Sequence, residues 1–360
     1  MSYGNLYKWG LLERFEREAR TYEGLSPARV TEQHHNLYKI VHEDGFLQAA
    51  VSGKFIHAAR SGSDFPAVGD WVMVDVENDT AVIHHVLTRK SVFGRRSAGT
   101  ATEAQIVASN VDTVFICMAL LADYNLRRLE RYLAIAWDSR ATPVVLLTKS
   151  DICENPEQRH AEVSSISSGA DVIVCSGLKQ GGYDAVMPYI NQGETVAFIG
   201  SSGVGKSTLI NRLLGQDALA TKEIRKDGKG RHATTHRQLM LLPGGGLVMD
   251  TPGMRELGAV NADLEKTFAD IEALAGQCKF SDCSHTSEPG CAVRAAVLGG
   301  LLDADRLGNY GKIQTEAGYS GLSSRQIEEE KIKRMFGGKG EMKKALRSIR
   351  EKNNYRSKRG

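Results

Sequence analysis

The sequence predicts a multidomain protein with an N-terminal β-barrel, a central α/β domain and a C-terminal, mainly helical domain. Short strand-like runs broken by turn residues fill residues 36–93. After Gly99, apolar strand-like runs alternate with helical patterns, which is typical of a mostly parallel sheet covered on both faces. From about residue 258 the pattern is helical, apart from a cluster of cysteines.

The composition is that of an ordinary globular protein. The chain has 360 residues, of which 41% are hydrophobic and 25% are charged, and this length allows two or three domains. No stretch approaches the run of roughly 18 apolar residues that a membrane span needs. The charged start lacks the apolar core of a secretory signal. We therefore expect a cytoplasmic protein without membrane association.

The pattern divides the chain into five expected segments. Residues 1–35 include a charged helical stretch with few apolar residues, so we interpret them as an N-terminal extension. The other expected segments are the barrel at 36–98, the α/β domain at 99–257, the helical domain at 258–318 and a basic tail at 319–360.

The strands follow from their apolar patterns. In the barrel they are expected at residues 37–41, 46–51, 71–76 and 81–87, and the alternating valines after Trp71 predict a half-buried strand. In the α/β domain they are expected at residues 111–118, 144–147, 172–175, 196–199, 239–242 and 247–249. Leu126, Leu129, Leu133 and Trp137 recur at helical spacing between the first two of these.

A phosphate-binding loop follows the strand at residues 196–199. Residues 200–207 fit the pattern G-x-x-x-x-G-K-[ST] and precede a predicted helix at 207–214, as the mechanism requires. Backbone N–H groups would surround the phosphates, Lys206 would oppose their charge, and the Ser207 hydroxyl could bind Mg²⁺. The predicted nucleotide-binding residues here are Gly200, Ser201, Ser202, Gly203, Val204, Gly205, Lys206, Ser207 and Thr208.

A second phosphate-site motif, Asp250-Thr251-Pro252-Gly253, ends the strand at residues 247–249. Asp250 would reach Mg²⁺ through water, and the Gly253 N–H would meet the γ-phosphate. The motif alone is a common turn, but the phosphate loop one unit upstream favours a functional interpretation.

Guanine selection is predicted from the turn Thr148-Lys149-Ser150-Asp151, which resembles the N-K-x-D motif. The Asp151 carboxylate would accept hydrogen bonds from guanine N1–H and the 2-amino group, donors that adenine lacks. Lys149 would lie along the base, and Ser176-Gly177 occupies the place of the loop whose backbone contacts guanine O6. Thr148 departs from the usual Asn, and a plain polar turn remains the alternative.

These motifs occur in permuted order. In ordinary small GTPases the phosphate loop comes first, whereas here Asp151 and Ser176 precede it. Permutation reconnects the same strands without changing their neighbours. It also ties whatever follows Asp250 to the γ-phosphate sensor, so a C-terminal domain could move with nucleotide state.

A metal site is predicted from Cys278, Cys283, His285 and Cys291, which have the spacing C-x4-C-x-H-x5-C. Four soft or borderline ligands with no open position are typical of one structural, tetrahedral zinc ion. Buried free thiols with an unrelated histidine, or an iron–sulfur cluster, are the alternatives.

The motif order, together with Gly230-Arg231-His232-Ala233-Thr234-Thr235, resembles the ribosome small-subunit-dependent GTPases, the RsgA or YjeQ family. The resemblance spans residues 36–318 and includes residues 95–97, 110–112 and 129–133. It implies an N-terminal OB-type β-barrel, a central, circularly permuted P-loop GTPase domain and a zinc-binding C-terminal domain. It also implies a role in late maturation of the small ribosomal subunit, with GTPase activity stimulated by that subunit.

The catalytic assignments depend on this resemblance. Residues 221–237 are rich in Gly and Lys, and we expect a loop that becomes ordered around Mg²⁺ and the γ-phosphate. The resemblance implies that Thr234 senses Mg²⁺. Met254 stands where Ras-like enzymes have the glutamine that orients water, so the resemblance makes His232 the candidate, with a solvated loop histidine as the alternative. Lys206 completes the predicted catalytic set.

Basic residues near the barrel and in the tail fit RNA binding, with a solvated basic face as the alternative, and the resemblance implies that the RNA is ribosomal. Cations near the barrel are Lys54, Arg60, Arg89, Lys90, Arg95 and Arg96, and the chain after Arg325 is strongly basic. The net charge of +3 identifies no partner by itself. We expect a monomer that binds GTP, GDP and the small subunit. A P-loop ATPase, or a nucleotide-switched RNA-binding scaffold with negligible hydrolysis, are the rival interpretations.

Overall fold

The structure is a computed structural model. It describes residues 3–34, 36–96, 104–121, 123–215, 237–250, 263–319, 322, 324–338, 340–344 and 346–347.

The N-terminal part folds as a five-stranded barrel of OB type. Its elements are α1 (Gly4–Lys8), α2 (Glu13–Ala19), β1 (Ser26–His34), β2 (Leu37–His42), β3 (Gly45–Val51), α3 (Gly53–Ala58), β4 (Trp71–Glu77) and β5 (Thr80–Val86). The strands are ordered β1-β2-β3-β5-β4, and β4 pairs back with β1. Closure leaves no free edge within the barrel.

Residues before 36 contribute to this structure rather than forming only an extension. Strand β1 pairs with both β2 and β4. Leu11, Phe15 and Ala19 are spaced four residues apart, so they share one face of α2 and its approach, and all three are buried. Phe15 packs on Trp71, with ring centroids 5.9 Å apart. These few apolar residues are enough to dock the helix on the barrel, because they all lie on one face of it.

Strand β4 also differs from its expected half-buried pattern. Trp71 and Met73 belong to the large core shared with the α/β domain, whereas Val72 and Val74 fill the barrel. Both faces of its first half are therefore buried.

The central domain is an α/β sheet after a β-hairpin of β6 (Val92–Arg96) and β7 (Ala104–Ser109). Its elements are β8 (Thr113–Ala119), α4 (Leu126–Asp138), β9 (Thr142–Thr148), α5 (Pro156–Ile166), β10 (Asp171–Val174), β11 (Thr195–Gly200), α6 (Lys206–Leu214), β12 (Gln238–Leu241) and β13 (Leu247–Asp250). All six expected strands are present.

The sheet order is β10-β9-β8-β11-β13-β12, and every neighbouring pair except β13–β12 is parallel. From β8 the chain adds β9 and β10 on one side of the sheet, and it then returns to add β11 on the other side of β8. The carboxyl ends of the strands therefore form a crevice there, which is where open α/β sheets bind ligands.

Arg29 fixes the barrel to the α/β domain. Its buried guanidinium donates to the Gly69 carbonyl at 3.3 Å in the barrel and to Thr195 Oγ1 at 2.8 Å at the start of β11. Burial lowers the pKa of Arg29 to about 10, and Asp112 and Asp70 oppose this shift. Glu32 of β1 also pairs with Gln238 of β12, which joins the two sheets.

The C-terminal part is helical apart from the cysteine loop. It contains α7 (Leu264–Thr267), α8 (Ala269–Ala275), α9 (Ala292–Leu298), α10 (Ala304–Ala317) and α11 (Ser324–Phe336). Arg306 of α10 bonds to the buried Glu130 of α4 at 2.5 Å and to Asp270 of α8 at 2.7 Å, which docks these helices on the central domain. Within the described part of the chain, every helix is too short or too polar to cross a membrane.

Candidate functional site

The phosphate loop lies at the crevice, between the end of β11 and the start of α6. Gly200, Gly203 and Gly205 have φ values of +138°, +76° and +101°, a region that favours glycine. A Cβ at Gly200 would lie 2.3 Å from the Cys117 carbonyl of β8, so only glycine fits the strand end. Val204 is fully buried in the core beneath the loop. Ser201, Ser202, Ser207 and Thr208 complete the loop and the first turn of α6.

Two opposite charges meet at this loop. The Lys206 Nζ donates to the Gly200 carbonyl at 2.8 Å and to the Ser201 carbonyl at 2.6 Å, so it lies over the loop. Asp250 ends β13, the neighbour of β11 in the sheet. Burial raises the pKa of Asp250 to about 6, and the charge of Lys206 opposes the shift. A divalent cation would favour the carboxylate form further.

The predicted guanine-reading turn lies beside the phosphate loop, although a long stretch of chain separates the two in sequence. Thr148 ends β9, and its hydroxyl donates to the Val204 carbonyl at 2.6 Å. Lys149 has a φ of +60°, which turns the chain out of the strand. Asp151 follows in a short 3-10 turn, at the same edge of the sheet.

The loop after β10 completes this side of the crevice. The Ser176 hydroxyl donates to Asp151 Oδ1 at 2.6 Å, and the Ser150 hydroxyl donates to the Cys175 carbonyl at 3.1 Å. Gly177 lies against α6: a Cβ there would be 3.2 Å from Thr208 Cγ2. The residues predicted from both motifs are thus brought together around one crevice.

Four predicted residues cannot be placed. His232, Thr234, Gly253 and Met254 lie outside the described residues. The described part of the predicted Mg²⁺ site therefore consists of Ser207 and Asp250.

Sequence reasoning missed two contacts in this site. The Thr148 bond to Val204 and the Ser176 bond to Asp151 both join residues that are distant in the chain. A serine shortly after the end of β10 was the only local signal for the second contact. The bond from Thr148 to Val204 has no local sequence signal, because a threonine at the end of a buried strand is common.

The cations predicted for RNA binding divide into two groups. Arg89 is bidentate on Asp70, at 2.8 and 2.7 Å, and Lys90 bonds to Asp112. These two charges are compensated inside the fold, which the sequence did not predict. Lys54 and Arg60 are exposed. The side chains of Arg95 and Arg96 lie outside the described part of the structure.

The cysteine cluster brings four potential metal-ligand atoms together. The ligand atoms of Cys278, Cys283, His285 and Cys291 all lie within 4.8 Å of one another. His285 Nδ1 is 3.7 Å from Cys278 Sγ and 3.5 Å from Cys291 Sγ, and these two sulfurs are 3.9 Å apart. Usual zinc bond lengths give about 3.6 Å for such N···S pairs and about 3.8 Å for S···S pairs. None of the six cysteines, each in a described segment, forms a disulfide.

Glu288 holds the loop that carries two of these ligands. Its carboxylate accepts from the Ser284, Thr286 and Ser287 N–H groups at 2.9 to 3.0 Å. The Ser284 hydroxyl and these amides hold the pKa of Glu288 well below its usual range. The loop is therefore organised by its own residues around Cys283 and His285.

This chain is similar to a known protein family and to named proteins of other organisms. The profile of the RsgA GTPase family matches residues 86–260. A protein of Lactiplantibacillus plantarum named small ribosomal subunit biogenesis GTPase RsgA 2 is 52% identical over 342 residues, 94% of this chain and 97% of that protein. A small ribosomal subunit biogenesis GTPase RsgA of Opitutus terrae is 44% identical over 83% of this chain and 85% of its own.

Solved structures agree. The crystal structure of YjeQ from Thermotoga maritima aligns with a TM-score of 0.60 and 26% identity, over 81% of this chain and 98% of that chain. The structure of YloQ, described as a circularly permuted GTPase, aligns with a TM-score of 0.58 and 25% identity, over 82% of this chain and 96% of that chain.

Proposed function

Because the chain belongs to the RsgA GTPase family, we propose that this GTPase acts in biogenesis of the small ribosomal subunit, and that the subunit stimulates its hydrolysis of GTP. The similar proteins of L. plantarum and O. terrae carry that role in their names. The similarity covers most of this chain, including all three structural parts described above.

One observation carries the nucleotide assignment. The turn with Asp151 and the loop with Ser176 lie upstream in sequence, yet hydrogen bonds place them at the crevice with the phosphate loop. Asp151 would read guanine N1–H and the 2-amino group, and Lys149 and Gly177 would complete the base site. Residues 200–208 would hold the phosphates.

The chemistry would divide among few groups. Mg²⁺ bound with GTP would be held by Ser207, Asp250 and Thr234, and would neutralise phosphate charge. Lys206 and the Gly253 N–H would bind the β- and γ-phosphates. His232 would orient the attacking water in place of the glutamine that Met254 replaces.

We assign one structural zinc ion to the cysteine cluster. Cys278, Cys283, His285 and Cys291 fit its coordination, and they leave no position for a substrate. The ion would hold the loop at residues 278–291 against α8 and α9 and so give the helical domain a fixed shape.

We also propose the wider setting. The barrel, with exposed Lys54 and Arg60, and the basic tail would contact ribosomal RNA. The protein would act as a monomer in the cytoplasm, where small subunits are available. Domain boundaries near residues 98, 257 and 318 fit this division of roles.

A hydrolysis assay tests the proposal. Phosphate release is measured with GTP and with ATP, each without and with saturating small ribosomal subunits, and Lys206→Ala serves as the inactive control. We expect hydrolysis of GTP only, and strong stimulation by the subunit. Hydrolysis of ATP at a similar rate would indicate a general P-loop ATPase. Subunit binding without stimulated turnover would indicate a nucleotide-switched RNA-binding scaffold.

A further inference from the structure

A row of polar side chains, here called the polar row, runs from the barrel to the predicted magnesium site. Its members oppose one another directly on the neighbouring strands β2, β1, β12 and β13, and they are Lys39, Glu32, Gln238 and Asp250. All three strand pairs are antiparallel, so opposed side chains lie on the same face of the sheet, with Cβ atoms about 5 Å apart. Gln238 therefore stands between a barrel residue and the Asp250 carboxylate.

A β-bulge turns Glu32 into the polar row. The pairing register of β1 with β2 shifts by one residue between Val30 and Glu32, so the strand accommodates one extra residue, Thr31. Side chains alternate along a strand, and Val30 lies in the barrel core. In a regular strand Glu32 would point into that core as well. The bulge places Glu32 on the opposite face, where it meets Lys39 and Gln238.

Glu32 holds the amide of Gln238 in one orientation. The Gln238 Nε2 donates to Glu32 Oε1 at 3.1 Å, and the Lys39 Nζ donates to the same oxygen at 2.9 Å. A carboxylate can only accept, so it selects the NH₂ end of the amide. The amide oxygen of Gln238 is then turned away from Glu32, to the side of the polar row where Asp250 lies. The Glu32 side chain is only 18% exposed, so water competes little for it.

This position matters for a magnesium site. Asp250 is expected to reach Mg²⁺ through water, and Mg²⁺ in proteins usually keeps several waters that need acceptors. Gln238 begins β12, directly after the segment at residues 221–237 that is expected to close over the ion. Groups that orient the ligands of a metal, without binding the metal themselves, contribute strongly to its affinity. An amide oxygen fixed beside Asp250 is such a group.

We propose that Gln238 is a positioning residue for Mg²⁺ at the nucleotide site: Glu32 of the barrel orients its amide, and the amide oxygen is a further acceptor for water on the ion beside Asp250. This rests on the proposed GTPase function. A residue of the barrel thus contributes to the affinity for Mg²⁺ through Gln238. The contribution concerns the ion, whereas Asp151 reads the base.

The test measures how nucleotide binding depends on Mg²⁺. The dissociation constant of a non-hydrolysable GTP analogue is determined over a range of Mg²⁺ concentrations and in excess EDTA. For Gln238→Leu we expect the half-maximal Mg²⁺ concentration to rise about tenfold, the effect of losing a group behind the metal ligands. The affinity in EDTA stays as in the parent. Gln48→Leu is the matched control and keeps the parental value, because Gln48 opposes Lys39 on the other side, on β3.

A double-mutant cycle tests the role of Glu32. Glu32→Leu is expected to raise the half-maximal Mg²⁺ concentration nearly as much as Gln238→Leu. The double variant loses no more than Gln238→Leu alone, because Glu32 acts through Gln238. Glu32→Gln, which keeps an acceptor oxygen for the amide, restores most of the parental Mg²⁺ dependence.

Three results overturn the proposal: unchanged Mg²⁺ dependence in Gln238→Leu, an equal loss of affinity in EDTA, or additive losses in the double variant. A parent without Mg²⁺ dependence, or without preference for the GTP analogue over an ATP analogue, would instead contradict the proposed function.

A spectroscopic measurement covers the case in which Gln238→Leu does not fold. In the ¹⁵N–¹H spectrum of the parent with the analogue bound, the side-chain NH₂ signals of Gln238 are expected to move when Mg²⁺ is added. Those of Gln48 stay in place. Unmoved Gln238 signals overturn the proposal.

Discussion

The Ser176 hydroxyl donates a hydrogen bond to Asp151, with Oγ 2.6 Å from Oδ1. The Ser176 Oγ also accepts hydrogen bonds from the backbone N–H groups of Leu178 and Lys179, each at 3.3 Å. These bonds hold the serine side chain in place. Ser176 therefore orients the Asp151 carboxylate. This relationship ties the second base-site loop to the first.

Asp151→Asn is expected to shift the preference from GTP toward xanthosine triphosphate. The Asn amide can donate to the 2-oxo group of xanthine, where the carboxylate accepted from the amino group of guanine. Ser176 can still donate to the amide oxygen, so the turn keeps its shape. Nucleotide competition measures the preference, and Asp171→Asn, at the exposed first position of β10, is the control. Unchanged GTP affinity in a folded Asp151→Asn protein would contradict the assignment.

Purified protein is expected to contain one zinc ion per chain. Cys283→Ser removes a ligand, so we expect loss of the metal and faster proteolysis of the helices after residue 263, with GDP binding largely kept. Elemental analysis and limited proteolysis test this. Cys153→Ser, outside the cluster, serves as the control and keeps its zinc. A preparation without stoichiometric zinc, or with an iron–sulfur cluster, would refute the structural-zinc proposal.

His232→Ala is expected to bind GTP normally but to lose subunit-stimulated turnover. A positioned group that orients water contributes roughly 100-fold or more. Single-turnover hydrolysis is measured with saturating small subunits, because the subunit is proposed to stimulate hydrolysis. His236→Ala, in the same segment, is the matched control and retains activity. Turnover of His232→Ala at the parental rate would show that another group orients the water.

Arg306→Met is expected to destabilise the protein by about 1.5–3 kcal/mol, because the buried Glu130 loses a charged hydrogen bond but keeps those from Arg127 and Asn309. Arg131→Met is the matched control on the same pair of helices. Arg131 bonds to Glu316 at 2.7 Å, but both side chains are more than a third exposed, so we expect a loss below about 1 kcal/mol. Chemical denaturation measures both. Equal effects would contradict a buried docking contact.

Cys175 is expected to be inert toward iodoacetamide in the folded protein. Burial raises its pKa to about 12, so the thiolate is scarce at pH 8.5, and burial also raises the pKa of Cys117. Cys153, which is half-buried, is expected to react first. Since folding raises these pKa values, their contribution to stability is complete below about pH 9 and declines as pH rises toward 12. Mass spectrometry of labelled peptides, and unfolding followed from pH 8 to above pH 10, test both expectations. Rapid labelling of native Cys175 would contradict them.

The sequence by itself determined the phosphate loop, the order of the motifs and the cysteine–histidine cluster. Each is written in a short contiguous stretch, where glycine at positive φ or the spacing of soft ligands limits the backbone locally. The alternation of apolar runs likewise predicted all six strands of the α/β sheet, because strand burial has a local pattern.

The tertiary structure alone decided how the stretches act on one another. Thr148 bonds to Val204, and Ser176 bonds to Asp151. Asp70 and Asp112 compensate the charges of Arg89 and Lys90, which the sequence analysis assigned to RNA binding. The same holds for Phe15, which is buried against Trp71 of β4. These contacts join residues far apart in the chain. Their partners are set by strand order and by the packing of the whole fold, which no local pattern encodes.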